Sequence, residues 1–225
     1  MKQHAAWGTA GIGKLGTALI TQWMKQDLET GLYHPDAEKA KKAAKNLSTK
    51  VLKKDDLAKL DYLVLALPAD QILPFVKDLK KAGVQLEETV LINMATKQET
   101  AELRETYPEL QWASVKYIGH AESLRRDGSG LFITEETDEH LRDRFSRIGH
   151  VETAAEETAE KVNQLATSQA VLAAIKLEKQ MEEEGWNDVY IKHALRSLFP
   201  EVIRAYADGK LGRFGQKIVE EMDKK

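Results

Sequence analysis

An α/β fold, a doubly wound parallel sheet followed by a small all-helical domain, is what this sequence predicts, and three observations carry the prediction. Short apolar runs alternate with amphipathic helical stretches through the first half of the chain. The glycines Gly11, Gly13 and Gly16 stand at G-x-G-x-x-G spacing between a strand pattern and a helix pattern. From about Ala155 the strand signals stop and helical periodicity alone remains.

The elements follow in order. A strand over Gln3 to Trp7 leads through the glycine loop into a helix from about Lys14 to Lys25, with Leu15, Leu19, Ile20 and Trp23 on one apolar face. A second strand at Gly31 to Tyr33 precedes the helix DAEKAKKAAKNL, and TKVL makes a third strand. DYLVLALP is the clearest strand, apolar on both faces as a central parallel strand is. The helix ADQILPFVKDLKK carries Pro74 close to its first turn, where proline is tolerated. TVLINMA is another buried strand, followed by the helical TKQETAELRETYP, with Thr96 and Glu99 at capping-box spacing and Pro108 at the end. QWASVKYIGH and GLFIT are two more strands, joined by a loop AESLRRDGSG, and the helix DEHLRDRFSRIG and a short strand HVETA complete this part. Beyond it, one long helix is closed by Gly185, with NDVYIKHALRSLFPEVIRAYADG and LGRFGQKIVEEM as further helices. The expected domains are residues 1–152 and 153–225.

Hydrophobic residues make up 42% of the 225-residue chain and charged residues 31%, with a net charge of −3. That is the balance of a soluble globular protein, and it gives no basic surface for nucleic acid. The absence of cysteine excludes disulfides, thiolate metal sites and cysteine nucleophiles, and no metal is expected. No apolar run approaches the ~20 residues of a membrane helix and no signal-type segment precedes the glycine loop, so a cytoplasmic protein with no membrane partner is expected.

The glycine loop, residues Gly11, Ile12, Gly13, Lys14, Leu15 and Gly16, is expected to seat a pyrophosphate on a helix N-terminus in a Rossmann fold, an ordinary tight βα turn being the alternative. The end of the second strand then faces the ribose, at His34, Pro35 and Asp36. An acid there suits NAD and repels the 2′-phosphate of NADP; Asp36 lies slightly beyond that point and equally suits the cap of the next helix. His34 and Lys39 are placed to meet a 2′-phosphate, or are simply solvated. Ala66, Leu67 and Pro68 fall at the carboxyl end of the fourth strand, where open α/β sheets bind ligands, and Asn93, Met94 and Ala95 fall at the end of the next.

The segment GTAGIGKLGTALI resembles the opening of pyrroline-5-carboxylate reductases and their NADP-linked relatives, in the 6-phosphogluconate dehydrogenase-type Rossmann superfamily. LYHPDAEKA is similar to that family's second strand and helix, and DYLVLALPADQILPFVKDLK to its fourth strand and following helix. The similarity spans residues 4 to about 180. It implies a Rossmann domain with a helical dimerisation domain, NADP as cofactor with NAD not excluded, and reduction of a small imine or carbonyl substrate. The alternatives are a non-catalytic NADP(H)-binding regulatory protein and, since LALPAD resembles those enzymes too, a deazaflavin-linked NADP oxidoreductase.

Hydride transfer asks the protein for position and one proton donor. Lys116 and His120, in the loop after the QWASV strand, are candidates to protonate or anchor a small anionic substrate, or are simply solvated. Asn163 and Thr167 share one face of the long helix, expected to be buried, and with Ser168 are candidates to orient the reacting group; the alternative is that Thr167 and Ser168 bond back to helix carbonyls while Asn163 bridges to a loop. The helix matches the family's Ser-Gly-Ser-Gly-Pro segment at Ala166, Thr167, Ser168, Gln169 and Ala170, where only the serine survives, and Glu160 replaces the lysine of the related hydroxyacid dehydrogenases. The family's Gly- and Thr-rich C-terminal loop is absent, so a divergent member is expected. Val171, Leu172, Ile175, Ile191, Leu195, Leu198, Phe199 and Ile203 give the tail an apolar surface that predicts a homodimer.

Overall fold

In the computed structural model, which describes residues 5–224, the apolar runs of the first half become parallel strands and the amphipathic stretches become crossover helices. β1 (Trp7–Ala10), β2 (Gly31–Tyr33), β3 (Lys50–Val51), β4 (Tyr62–Leu65), β5 (Val90–Asn93) and β6 (Gln111–Ser114) form one sheet in the order β3-β2-β1-β4-β5-β6. Every pairing is parallel, with Thr9 opposite Leu32 on one side and Val64 on the other. Strand order reverses between β1 and β4, and a crevice opens at the strand carboxyl ends where it does. The Gln3–His4 part of the expected first strand lies outside the described residues.

Alternation along β4 explains the two cores. Leu63 and Leu65 join Leu57, Ile72, Val76, Leu79, Leu91 and Leu103 on one face of the sheet, beneath α3 (Ala69–Lys81) and α4 (Thr100–Thr106). Tyr62 and Val64 point the other way and join Trp7, Leu19, Trp23, Ile92 and Val115 beneath α1 (Lys14–Lys25). The remaining crossover, α2 (Ala37–Leu47), covers Ile20 and Leu32 through Ala44.

Three local expectations are corrected. QWASVKYIGH is divided rather than one strand: after Ser114 the chain leaves the large sheet, and β7 (Lys116–Ile118) pairs antiparallel with β8 (Gly130–Ile133), which pairs parallel with β9 (Gly149–Glu152). The segment AESLRRDGSG is not wholly a loop. It forms α5 (Ala121–Asp127), because Leu124 is buried and the buried Gln22 side chain donates to the carbonyls of Leu124 (2.9 Å) and Arg125 (2.7 Å) at the helix end. Gly128, with φ +68°, then supplies the left-handed stop. Finally, Pro74 sits a turn deeper than expected, the sixth residue of α3, where it removes the bond to the Asp70 carbonyl.

The small sheet and α6 (Glu139–Ser146) are locked to α1 by aromatic contacts. Trp23 meets Phe145 edge-on at 5.4 Å, and Phe145 meets Phe132 at 5.0 Å. The Arg144 guanidinium lies 5.0 Å from the centroids of both Trp7 and Trp23 and donates to the carbonyls of Leu28 and Glu29; burial lowers its pKa to about 10.

Cα packing divides the chain into residues 1–164 and 165–225. The composition shift near residue 152 precedes that division because α7 (Glu157–Glu183) begins in the first unit and continues into the second. The second unit comprises the rest of α7, then α8 (Asp188–His193), a π-helical turn (Ala194–Leu198), α9 (Phe199–Ala207) and α10 (Arg213–Met222). Gly185, with φ +80°, closes α7. No helix among the described residues is long and apolar enough to cross a membrane.

Trp23 is fully buried and its indole N–H donates to the Arg144 carbonyl at 3.1 Å. Trp23→Ala is therefore expected to destabilise the first unit by about 3–5 kcal/mol in denaturant unfolding, a loss below about 1 kcal/mol contradicting its role as the core's central side chain.

Candidate functional site

The three glycines of the loop do three different things. Gly11 has φ +110°, and a Cβ there would lie 2.4 Å from the Ala66 carbonyl oxygen, so the turn out of β1 tolerates no side chain. A Cβ on Gly16 would lie 2.2 Å from the Gly11 oxygen, so α1 can approach the turn only with glycine there. A Cβ on Gly13 would meet nothing within 4 Å: that glycine faces open space. It is also the N-cap of α1, with no side chain capping the helix and no acid in its first turn. The first intrahelical bond is Thr17 N–H to the Gly13 carbonyl, which leaves the N–H groups of Lys14, Leu15 and Gly16 for an anion.

Two cavities flank this helix start. The larger, about 590 Å3, is lined by Gly11, Ile12 and Gly13, by Tyr33, His34 and Pro35 at the end of β2, and by Ala66, Leu67 and Pro68 at the end of β4. The smaller, about 300 Å3, is lined by Leu15, Met94, Ala95, Thr96 and Lys97 and shares Ala66, Leu67 and Pro68 with the larger. Eleven residues expected from the sequence thus line one cavity or the other: Gly11, Ile12, Gly13, Leu15, His34, Pro35, Ala66, Leu67, Pro68, Met94 and Ala95.

The other expected cofactor residues act behind that surface. Lys14 begins α1 and Gly16 packs it. Asp36 is a helix cap: its Oδ1 accepts from the N–H groups of Glu38 and Lys39, both at 3.0 Å, and these bonds, with the nearby Lys39 and His34, hold its carboxyl below the usual range. It is not among the residues lining either cavity. Asn93 is buried and organises the chain after β5, accepting from Ala95 N–H (3.0 Å) and donating to the Gln98 carbonyl (2.8 Å) and Thr100 Oγ1 (2.9 Å). Those bonds keep residues 94–99 out of the helix, so α4 starts at Thr100, and the expected Thr96–Glu99 capping box does not form.

At the end of β2, His34 Nδ1 accepts from Asp36 N–H at 3.0 Å, leaving Nε2 as the donor. Lys39 and Lys54 line the same cavity, as does Asp78 on α3. Lys54, Gln71, Phe75 and Asp78 were not among the expected residues. The apolar spacing of α3 held the signal for Phe75, whereas Lys54 is brought in by the 3-10 turn Lys54–Lys59, which sequence periodicity does not mark.

The expected substrate residues fare differently. Lys116 is a buried residue of β7 rather than a loop residue, and its three protons go to the Ala95 carbonyl (2.7 Å), the Gln98 carbonyl (2.9 Å) and Glu156 Oε2 (3.1 Å). Burial lowers its pKa against the opposing pull of Glu156. Burial alone would raise Glu156, but bonds from Ser114 and Thr100 and the Lys116 charge hold it below the usual carboxylate range. The His120 side chain is exposed at the start of α5; its carbonyl accepts from the Tyr117 hydroxyl. Asn163 donates to the Tyr117 carbonyl and accepts from Gly119 N–H, both at 3.0 Å, fastening the first part of α7 to β7. Thr167 and Ser168 belong to the second unit and are exposed, as is most of α7, whose one buried residue is Ala159. Ser168 Oγ bonds back to the Leu165 carbonyl at 3.0 Å.

The glycine roles separate in experiment. Gly16→Ala is expected to lower the melting temperature by several degrees, whereas Gly13→Ala leaves it within about 2 °C; equal effects would contradict the division of roles.

Residues 8–108 match the family model described as NADP oxidoreductase coenzyme F420-dependent. None of the curated protein sequences matches the chain. Among solved structures it is similar to a pyrroline-5-carboxylate reductase from Coxiella burnetii, at 12% identity and TM-score 0.72 over 98% of this chain and 85% of that one. It is also similar to the Plasmodium falciparum pyrroline carboxylate reductase with NADP bound, at 16% identity and TM-score 0.66 over 96% and 84% of the two chains. An imine reductase from Myxococcus stipitatus in complex with NADP+ aligns at 15% identity and TM-score 0.63 over 90% and 75%. Residues 8–108 thus carry the pattern of an NADP oxidoreductase family, and the fold is the one seen in the pyrroline-5-carboxylate reductases.

Proposed function

We propose that this protein is an NADP(H)-dependent oxidoreductase acting on a small imine or carbonyl. The observation that carries the proposal is the pair of cavities that meet at Ala66–Pro68 beside an uncapped helix N-terminus. In this assignment the N–H groups at the start of α1 hold the pyrophosphate, and Gly13 lets the backbone reach it. The larger cavity takes the adenosine half. Lys39 and Lys54 supply the positive charge for a 2′-phosphate and His34 Nε2 a neutral hydrogen-bond donor, while the one carboxylate that would favour NAD at this point, Asp36, is committed to capping α2.

The smaller cavity takes the nicotinamide, which supplies the hydride when bound. Its wall is apolar at Leu15, Met94, Ala95 and Pro68, which excludes water, and Thr96 and Lys97 are its polar side chains. Lys97 is exposed, so it is better placed to meet an anionic substrate than Lys116, whose protons are all engaged. The description of the matched family favours a second reading, in which the hydride partner is a deazaflavin. The Plasmodium and Myxococcus structures, which hold NADP and NADP+, support the choice of cofactor in either case.

Titration by calorimetry tests the assignment. NADPH is expected to bind at least about tenfold more tightly than NADH, and Lys54→Ala to weaken NADPH about fivefold while leaving NADH unchanged. Preference for NADH would overturn the NADP assignment. Turnover of cyclic imines or ketoacids against a deazaflavin then separates the two reductase readings, and tight binding with turnover of neither is the behaviour of a non-catalytic sensor.

The second unit supports a homodimer. Leu165, Leu172, Val189, Leu198 and Phe214 are each more than half exposed, and Phe214 reaches 80%. Apolar side chains in that number need a covering surface, and a second copy of the chain supplies one of matching character. Ile191, expected on this surface, is instead buried. Light scattering at micromolar concentration is expected to give twice the 25.3 kDa chain mass, and a monomer would overturn the dimer.

A further inference from the structure

We propose that Lys116 and Glu156 are positioning residues for the nicotinamide half of the cofactor, holding the backbone of residues 95–98 in the form that lines the smaller cavity. The proposal rests on the dinucleotide assignment above and adds a role for a pair that lines neither cavity.

The segment between β5 and α4 has no regular structure, yet it is gripped from beneath at both ends. Lys116 Nζ donates to the Ala95 carbonyl at 2.7 Å and to the Gln98 carbonyl at 2.9 Å, and Thr96 and Lys97, the two residues between, line the cavity. Glu156 extends the grip: its carboxylate accepts from Thr100 N–H (2.7 Å), Thr100 Oγ1 (2.8 Å) and Ser114 Oγ (2.7 Å) and pairs with Lys116 at 3.1 Å. One ion pair thus fixes the loop, the start of α4, the end of β6 and the residue preceding α7.

A lysine whose side chain is 1% exposed is costly unless it is paired and fully hydrogen-bonded, and here it is both. Two apolar residues of similar volume would commonly serve stability as well. What they would not do is hold two backbone carbonyls at fixed points. Those carbonyls set the cavity wall, so the chemistry of the pair matches a demand for loop conformation rather than for stability. The larger cavity shares no residue with this network, so the effect is confined to one half of the ligand.

That confinement gives the test. The double variant Lys116→Met/Glu156→Gln removes both charges together and leaves no orphaned ion. Calorimetry with 2′,5′-ADP, which carries the adenosine half alone, is expected to give wild-type affinity within about twofold, while NADPH weakens about tenfold, the equivalent of about 1.4 kcal/mol. Glu156→Gln alone, which keeps the shape of the side chain, moves NADPH about threefold in the same sense with 2′,5′-ADP unchanged, and decides the matter if the double variant does not fold. Equal weakening of the two ligands, or no weakening of NADPH, overturns the positioning role. Wild-type protein that binds neither ligand overturns the dinucleotide assignment itself, and the positioning role with it.

Discussion

The first unit depends on a close approach of three backbones. β1 must turn at Gly11 against the carbonyl of Ala66, and α1 must start against the carbonyl of Gly11. The gaps, 2.4 and 2.2 Å to where a Cβ would be, admit hydrogen and nothing larger. This crowding brings the N-terminus of α1 to the carboxyl ends of β1 and β4, at the reversal of strand order, with its N–H groups free. A longer turn would leave the crevice but move the helix dipole away from it. The positive end of α1, the open face at Gly13 and the meeting of the two cavities therefore follow from one constraint on volume.

A second economy concerns charge. Two carboxylates near the site that would oppose an anion, Asp36 and Glu156, are already engaged. The Asp36 carboxylate accepts two helix N–H groups, and Glu156 accepts three protein hydrogen bonds besides its ion pair. His34 is turned by its bond from Asp36 N–H so that its remaining nitrogen is a donor. The cations Lys39 and Lys54 stay exposed at the cavity edge, where water pays for their hydration until a ligand arrives.

Most of the sheet was legible in the sequence because its signals are local: apolar runs, a glycine spacing and helix caps each lie within a dozen residues. Gly11, Gly13 and Gly16 could be placed on a strand-to-helix turn by spacing alone, although their separate tasks appear only when neighbours are known. The errors have a common physical origin in contacts distant along the chain. α5 exists because Gln22, about a hundred residues earlier, binds its last carbonyls. QWASVKYIGH breaks into two strands because Lys116 turns inward to Glu156 while Tyr117 pairs with Phe132 in another sheet. A lysine following an apolar run looks solvated from sequence; nothing local reveals that a carboxylate forty residues later will bury it. Lys54 was missed for the same reason, being carried to the cavity by a turn with no periodicity of its own.

The two units also differ in what holds them. In the first, the central strands are covered on both faces of the sheet, and the buried polar side chains of Asn93, Lys116 and Thr100 have partners. In α7 the balance is reversed: a helix of 27 residues buries Ala159 and leaves Val162, Leu165, Val171, Leu172 and Ile175 in contact with solvent. Alanine, leucine, lysine and glutamate give this segment the propensity to stay helical, but propensity does not select apolar residues over polar ones on an exposed face. Neither does cofactor binding, since both cavities are lined within residues 10–97. The exposed apolar residues of the second unit therefore line neither cavity. Asn163, bonded through its side chain to Tyr117 and Gly119, anchors that helix to the end of β7. The hydrogen-bonded root of α7 and the buried pair at Lys116 and Glu156 are thus joined through one strand, β7, which carries Lys116 and Tyr117 and ends beside Asn163.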